Sequence, residues 1–457
     1  MVKTLFIIGL VLLIPGSSTL FQALSVGPAS WALNQTLFWG TPIVHFVFWI
    51  GLAHAGTFLS AILLIFEVRF QKRISLVAEL STIAAILVAA LFPLIHLGIV
   101  SRFYFLVPFF NERDMFVNFN SPLIWDFLAI GAYACLSIVF FISHILSLKI
   151  PSFLKTRKVL AWILFPLVLW VHTIVSLDFA VTTDSLWQGA YFPIYFIIGA
   201  IFSGLALVLF LLEIMQRRVR KIEEILVAGS WFLLVFWIWE FIQKGVMHSF
   251  VLLFGFVFVQ LFWLPRFRNT KAVRLFVSFS VLVAMWIERY VLIVHTNIEW
   301  LLVDWGWFAL GIGLFLSVFF GGVLLFQKYC PQILLSVPEE TSEKYSNGMI
   351  FKIIVPAIII TILFWFLNYR FDSTVSVINW VPALFPVLSL IVGLSFFVIE
   401  LFSIVSKPRF YLVSGACLLV LGFLMGAFYA GGDTNLGREN KIISVEQTSE
   451  KERSTFD

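Results

Sequence analysis

Long apolar runs alternate with short polar connections along this chain. The apolar runs fall near 3–25, 43–66, 76–99, 122–146, 159–179, 191–213, 225–242, 245–264, 272–295, 303–328, 350–368, 380–403 and 409–430. Each approaches the ~20 residues a helix needs to cross a hydrocarbon core of roughly 30 Å. The pattern predicts an all-α polytopic membrane protein of ten spans, a polar linker, and three more spans. The runs 225–242 and 245–264 are short and nearly continuous, so they form a tight hairpin if both cross. The first run continues without a break to Val26 and reads as a retained helix rather than a cleaved leader.

Composition agrees. The 457 residues are 61% hydrophobic and 12% charged, with mean hydropathy +1.02, against roughly 25% charged residues in a soluble domain. The net charge of +5 is what basic cytoplasmic loops produce, so it does not argue for a nucleic-acid partner. Of the thirty lysines and arginines, only Arg102, Arg113, Lys244 and Arg370 fall in one set of loops. Arg289 lies inside a run and four more follow residue 430; all the others collect in the alternate loops and at the N-terminus. Positive residues stay in the cytoplasm. The N-terminus is therefore expected there, with the tail from Gly431 in the periplasm and the chain in the bacterial inner membrane. Residues 331–349 are the longest polar cytoplasmic stretch. They divide a membrane domain over 1–330 from an accessory three-helix module over 350–430, followed by a polar tail over 431–457.

Charges within apolar runs are costly and mark pairing or function. The orientation gathers most of them toward the external side. His96 ends the third run, and Arg102 follows it. Asp126 and Trp125 open the fourth. His172 and then Asp178 lie in the outer part of the fifth. His54 is mid-depth in the second, within GLAHAGT. Glu240 ends the seventh. The ninth carries Glu288 and Arg289, with His295 one heptad beyond Glu288. Glu67, Glu79 and Glu213 sit at the cytoplasmic ends beside basic loops and read as interfacial ion pairs or solvated charges. His45, His144 and His248 read as incidental. Each external group also has a structural explanation: a backbone hydrogen bond for His96, helix-end capping for the aspartates, interhelical packing for His54 and His172, and an ion pair for Glu288–Arg289.

Histidines and carboxylates buried toward one face suit quinol oxidation or quinone reduction, where two electrons move with two protons. Histidine titrates near neutrality, and a carboxylate can orient it or take its proton. Cys135, Cys330 and Cys417 are isolated, and no CxxC, CxxCH or iron–sulfur spacing occurs. No iron–sulfur cluster or c-type haem is therefore expected in the chain. A b-type haem would need two facing histidines such as His54 and His172, and no second such pair exists. Electrons would have to pass to a partner at the external face, where residues 100–121 offer an aromatic, charged surface. An ion or solute transporter, or a purely structural anchor, is the competing class.

FWIGLAHAGTFLSAIL (48–63), FPLIHLG (92–98), NFNSPLIWD (118–126), VHTIVSLDFAV (171–181), IFSGLALVL (201–209) and MWIERYVLIV (285–294) resemble the NrfD/PsrC family of quinone-interacting membrane subunits, and within it the ActC subunit of alternative complex III. The resemblance covers about residues 3–328. It implies a pair of four-helix bundles within ten spans and no bound haem. It also implies an exchangeable quinone, menaquinol in particular, near the periplasmic face. There it places His96 and Asp126 with His172 and Asp178 nearby; from their position, Arg102 and Trp125 are further candidates for contact with the headgroup. The same resemblance implies a proton path drawn from His54, Glu240, Glu288, Arg289 and His295. The implied partners are a periplasmic iron–sulfur subunit, c-type cytochrome subunits, a second NrfD-like membrane subunit and lipids. In related anchors of molybdenum or multihaem enzymes, electrons run toward quinone instead. The segment 242–245 is shorter than the matching loop of ActC-like chains, and the last three spans lie outside the resemblance.

Overall fold

The computed structural model describes residues 1–27, 31, 39–68, 70–110, 116–117, 121–180, 192–244, 249–294 and 304–331. Their elements are α-helices α1 (Val2–Val26), α2 (Thr41–Ile65), α3 (Gln71–His96), α4 (Pro122–Ser147), α5 (Phe153–Ala180), α6 (Phe192–Ile214), α7 (Arg220–Lys244), α8 (Ser249–Leu252), α9 (Pro265–Arg268), α10 (Lys271–Val294) and α11 (Trp305–Tyr329). A 3-10 turn spans Val100–Leu106, and α8 runs on through a π turn (Leu253–Val257) and a 3-10 turn (Phe258–Trp263).

Among the described residues, eight helices are long and apolar enough to cross a membrane: α1–α6, α10 and α11. The chain is thus a polytopic, all-helical membrane protein. α7 and the short run Ser249–Trp263 occupy the expected seventh and eighth spans but are not among those eight. The three expected spans after residue 349, the linker and the tail lie outside the described residues.

α2 packs on α3 and α5, and α4 packs on α5 and α3, closing a four-helix group. α6, α7, the 249–263 segment and α10 form a second, joined to the first where α6 and α10 lie against α2. α2, α6 and α10 are the most enclosed: 89%, 83% and 83% of their apolar stretches are buried, against 11% for α1. Small residues allow this closeness. Gly204 of α6 faces Ala55 of α2, and a Cβ there would overlap the alanine methyl. α1 stands apart from both groups and packs on α11, with Gly9 and Gly16 against Ser317 and Leu310.

Candidate functional site

Local sequence sets three polar side chains at one end of the first helical group. α3 stops at His96 because Gly98 follows at φ 72°, a left-handed conformation that glycine adopts without strain. Pro122 opens α4, where a missing N–H costs nothing, and Asp126 comes one turn later. Asp178 lies two residues before the end of α5.

The carboxyls of Asp126 and Asp178 are hydrogen-bonded to each other between α4 and α5, and both are buried. Such a bond requires a proton on one of them, since an ionised carboxylate has no donor. His96 stacks on Trp31 (centroids 5.4 Å apart, planes 11° apart) and lies 5.6 Å from Trp39. Trp39 also meets Phe179, the neighbour of Asp178, edge-on at 5.6 Å, linking His96 to the aspartate pair. Five buried atoms of this group have no hydrogen-bond partner among the described residues: Trp31 Nε1, Trp39 Nε1, His96 Nδ1, Asp126 Oδ1 and Asp178 Oδ1. Each such atom costs about 1–3 kcal/mol when left unsatisfied. Indole donors, an imidazole nitrogen and carboxyl oxygens are brought together here, a set suited to a molecule with two polar oxygens.

His172 does not join them. It meets His54 instead, Nδ1 to Nδ1 at 3.0 Å, with its Nε2 2.8 Å from the Phe196 carbonyl. A carbonyl only accepts, so His172 Nε2 donates, its Nδ1 accepts, and His54 Nδ1 donates. That leaves the His54 Nε2 lone pair buried without a partner among the described residues. The rings touch directly, at a hydrogen-bond spacing rather than that of two ligands on either side of a haem iron. The expected set of four therefore divides into a carboxyl pair with His96 and, deeper, a histidine pair.

Arg289 extends the histidine pair into the second helical group. Its guanidinium lies over the Phe196 ring at 4.3 Å, reaches the same Phe196 carbonyl at 3.5 Å, and pairs with Glu288 at 3.3 Å. Gly199 makes room for it; any Cβ there would collide with Nη2. Trp125 is half-buried, while Arg102 is exposed on the 3-10 turn, outside the buried group. The Glu240 side chain and all of His295 lie outside the described residues.

Three features went unread in the sequence. Trp31 and Trp39 come from the α1–α2 connection, and their signal was two tryptophans in one short connecting segment. His45, expected to be incidental near the interface, is 1% exposed, with both ring nitrogens unpartnered among the described residues. Phe92, Trp286 and Phe308 enclose it. At the other end, Glu79 forms an ion pair, one of the two expected outcomes, but a buried one, and His144, expected to be incidental, joins it. Glu79 accepts from Ser60, pairs with Arg157 at 2.6 Å and meets His144 Nδ1 at 2.7 Å, all buried. Glu213 is buried too, held by two bonds from Arg274 at 2.7 and 2.8 Å. Low dielectric forces such pairing. Glu67 keeps its expected exposed place, bonded to Lys158.

Among the described residues, no group of three or more His, Cys, Asp or Glu side chains is set to hold a metal ion. The family model described as polysulphide reductase, NrfD, matches residues 30–298, which carry all of these groups except Phe308. The chain belongs to the NrfD family. No curated protein matches it. The NrfD match is narrower than the expected resemblance and leaves out α1 and α11, the pair that packs on each other. Taken with the all-helical membrane architecture, it makes this chain a quinone-interacting membrane subunit of a redox complex, located in the inner membrane.

Proposed function

We propose that this NrfD-family chain is the quinone-site anchor of a molybdenum or multihaem oxidoreductase, and that the group at the external end of α3, α4 and α5 receives the quinone headgroup. The observation that carries this is the set of five buried polar atoms with no hydrogen-bond partner among the described residues. A quinone oxygen, with two lone pairs, would accept from two of the Trp31, Trp39 and His96 nitrogens. The other oxygen would face the Asp126–Asp178 pair, whose closeness in a buried site favours one shared proton. Reduction takes up two electrons and two protons, and oxidation returns them. The carboxyl pair and His96 supply or accept the protons; a docked iron–sulfur or multihaem subunit carries the electrons. The matched family, described by polysulphide reductase, favours this reading over an alternative-complex-III subunit with c-type cytochromes and a second related membrane chain.

Behind the site, His54, Thr57 and Ser60 follow each other at three-residue steps along α2. Thr57 contacts Tyr133 Oη at 2.9 Å and Thr82 at 3.3 Å, and Ser60 donates to Glu79. This column supports proton exchange with the opposite face, with the open His54 Nε2 as its central acceptor and His144 as its far end. Glu288 and Arg289 adjoin it through the Phe196 carbonyl.

The test is quinol-analogue titration of the purified complex carrying His96→Ala or Asp178→Asn. Turnover is expected to fall by about 10²-fold or more, the scale of a lost general acid or base. Unchanged turnover and inhibitor affinity in both variants overturns the assignment.

A further inference from the structure

At the end of the bundles opposite Asp126 and Asp178, the connections over 213–224 and 263–274 carry eight arginines and lysines against three glutamates. The fold compresses several of these cations. Arg274 binds Glu213 through two bonds, and Glu223 is shared between Arg218 at 3.1 Å and Arg268 at 3.8 Å. Arg73, at the start of α3, reaches across to donate to the Arg218 carbonyl at 3.1 Å. Arg218 and Arg274 both donate to the Arg268 carbonyl, at 3.2 and 2.8 Å. All three glutamates are engaged by these cations, Glu224 by Lys221 at 3.1 Å, so eight cations face three carboxylates, and the further bonds to carbonyls offset no charge. Arg217 lies outside the spans, and burial together with the like charge of Arg73 holds its guanidinium below the usual range.

Crowded cations at the edge of a membrane domain suit an anion. Next to them, the one-turn α9 leaves Leu264 and Phe267 exposed (52% and 38%) alongside exposed Arg266 and Lys271. A free anion has no use for the apolar pair. A lipid uses both, its phosphate on the guanidiniums and its acyl chains on Leu264 and Phe267, and basic pockets between membrane helices hold such headgroups. We propose that the arginine cluster joining α3, α6, α9 and α10 binds the phosphate headgroup of an anionic phospholipid of the phosphatidylglycerol or cardiolipin class. The proposal does not rest on the quinone reading.

The test is native mass spectrometry and thermal unfolding of the full-length protein in detergent with phosphatidylglycerol, phosphatidylcholine or inorganic phosphate. Wild-type protein should retain the anionic lipid and be stabilised by it above the zwitterionic one, with inorganic phosphate giving no comparable effect. Removing two cations in Arg266→Gln/Lys271→Gln, both exposed and safe for folding, should weaken retention about 30-fold, at about fivefold per basic residue. Arg217→Gln should weaken it likewise where it folds. Equal stabilisation by both lipids, an unchanged preference in the double variant, or full reproduction of the effect by inorganic phosphate overturns the proposal.

Discussion

At the level of single residues, the chemistry depends on what each buried group lacks. His54 stands apart from the aspartate pair, so His54→Ala should lower kcat about tenfold or more while leaving the quinone KM near its wild-type value. A KM that rises while kcat holds would make His54 a headgroup ligand instead. Glu79 is bound on one side by Arg157 and on the other by His144. Glu79→Gln leaves the Arg157 charge buried and uncompensated, at a cost of about 3–5 kcal/mol. Thermal unfolding should show a lowered midpoint, largely recovered by adding Arg157→Met; a midpoint that does not move would mean that water reaches the arginine. Asp126 and Asp178 were legible in the sequence because a carboxylate in an apolar run is rare and directional. His45 and Trp39 were not, because an imidazole near a span end and an indole in a loop are common, and only contact with Phe92 or His96 gives them meaning.

At the level of elements, the helices meet where side chains are smallest. Gly204 on α6 and Ala55 on α2 bring two of the most enclosed helices together. This contact sets the helix bearing His54 against the one whose Phe196 carbonyl binds His172. Gly204→Val should destabilise by about 1–3 kcal/mol, the usual cost of overpacking, and Ala55→Gly in the same chain should restore part of it. Failure of the second change to help would show that the two positions do not oppose each other. The helix boundaries were readable within a few residues. The largest misses were the starts of α3, α5 and α7, each five or six residues earlier than the apolar runs suggested, because polar and basic residues of the loops continue into the helices.

Across the whole molecule, the polar groups separate into two ends. His96, Asp126 and Asp178 occupy one, and Glu79, Glu213 and the arginine cluster the other, with the histidine pair between. In a chain whose native cysteines are replaced by serine, Phe103→Cys on the exposed 3-10 turn should react with an impermeant thiol reagent from the periplasmic side. Lys72→Cys at the start of α3 should react only after the membrane is opened. The reverse pattern would invert the orientation and move the proposed quinone site to the cytoplasm.

The amino-acid order alone determined that the chain is a polytopic helical membrane protein in which charge within the apolar runs is rare, because both follow from the cost of polar groups in hydrocarbon. Which faces of the helices meet was decided only by the tertiary structure. Lipid tails are as apolar as a helix interior, so hydrophobicity carries no label for inward and outward. The pairing of His172 with His54 rather than Asp178, the capping of His96 by two tryptophans and the burial of His45 all depend on that packing.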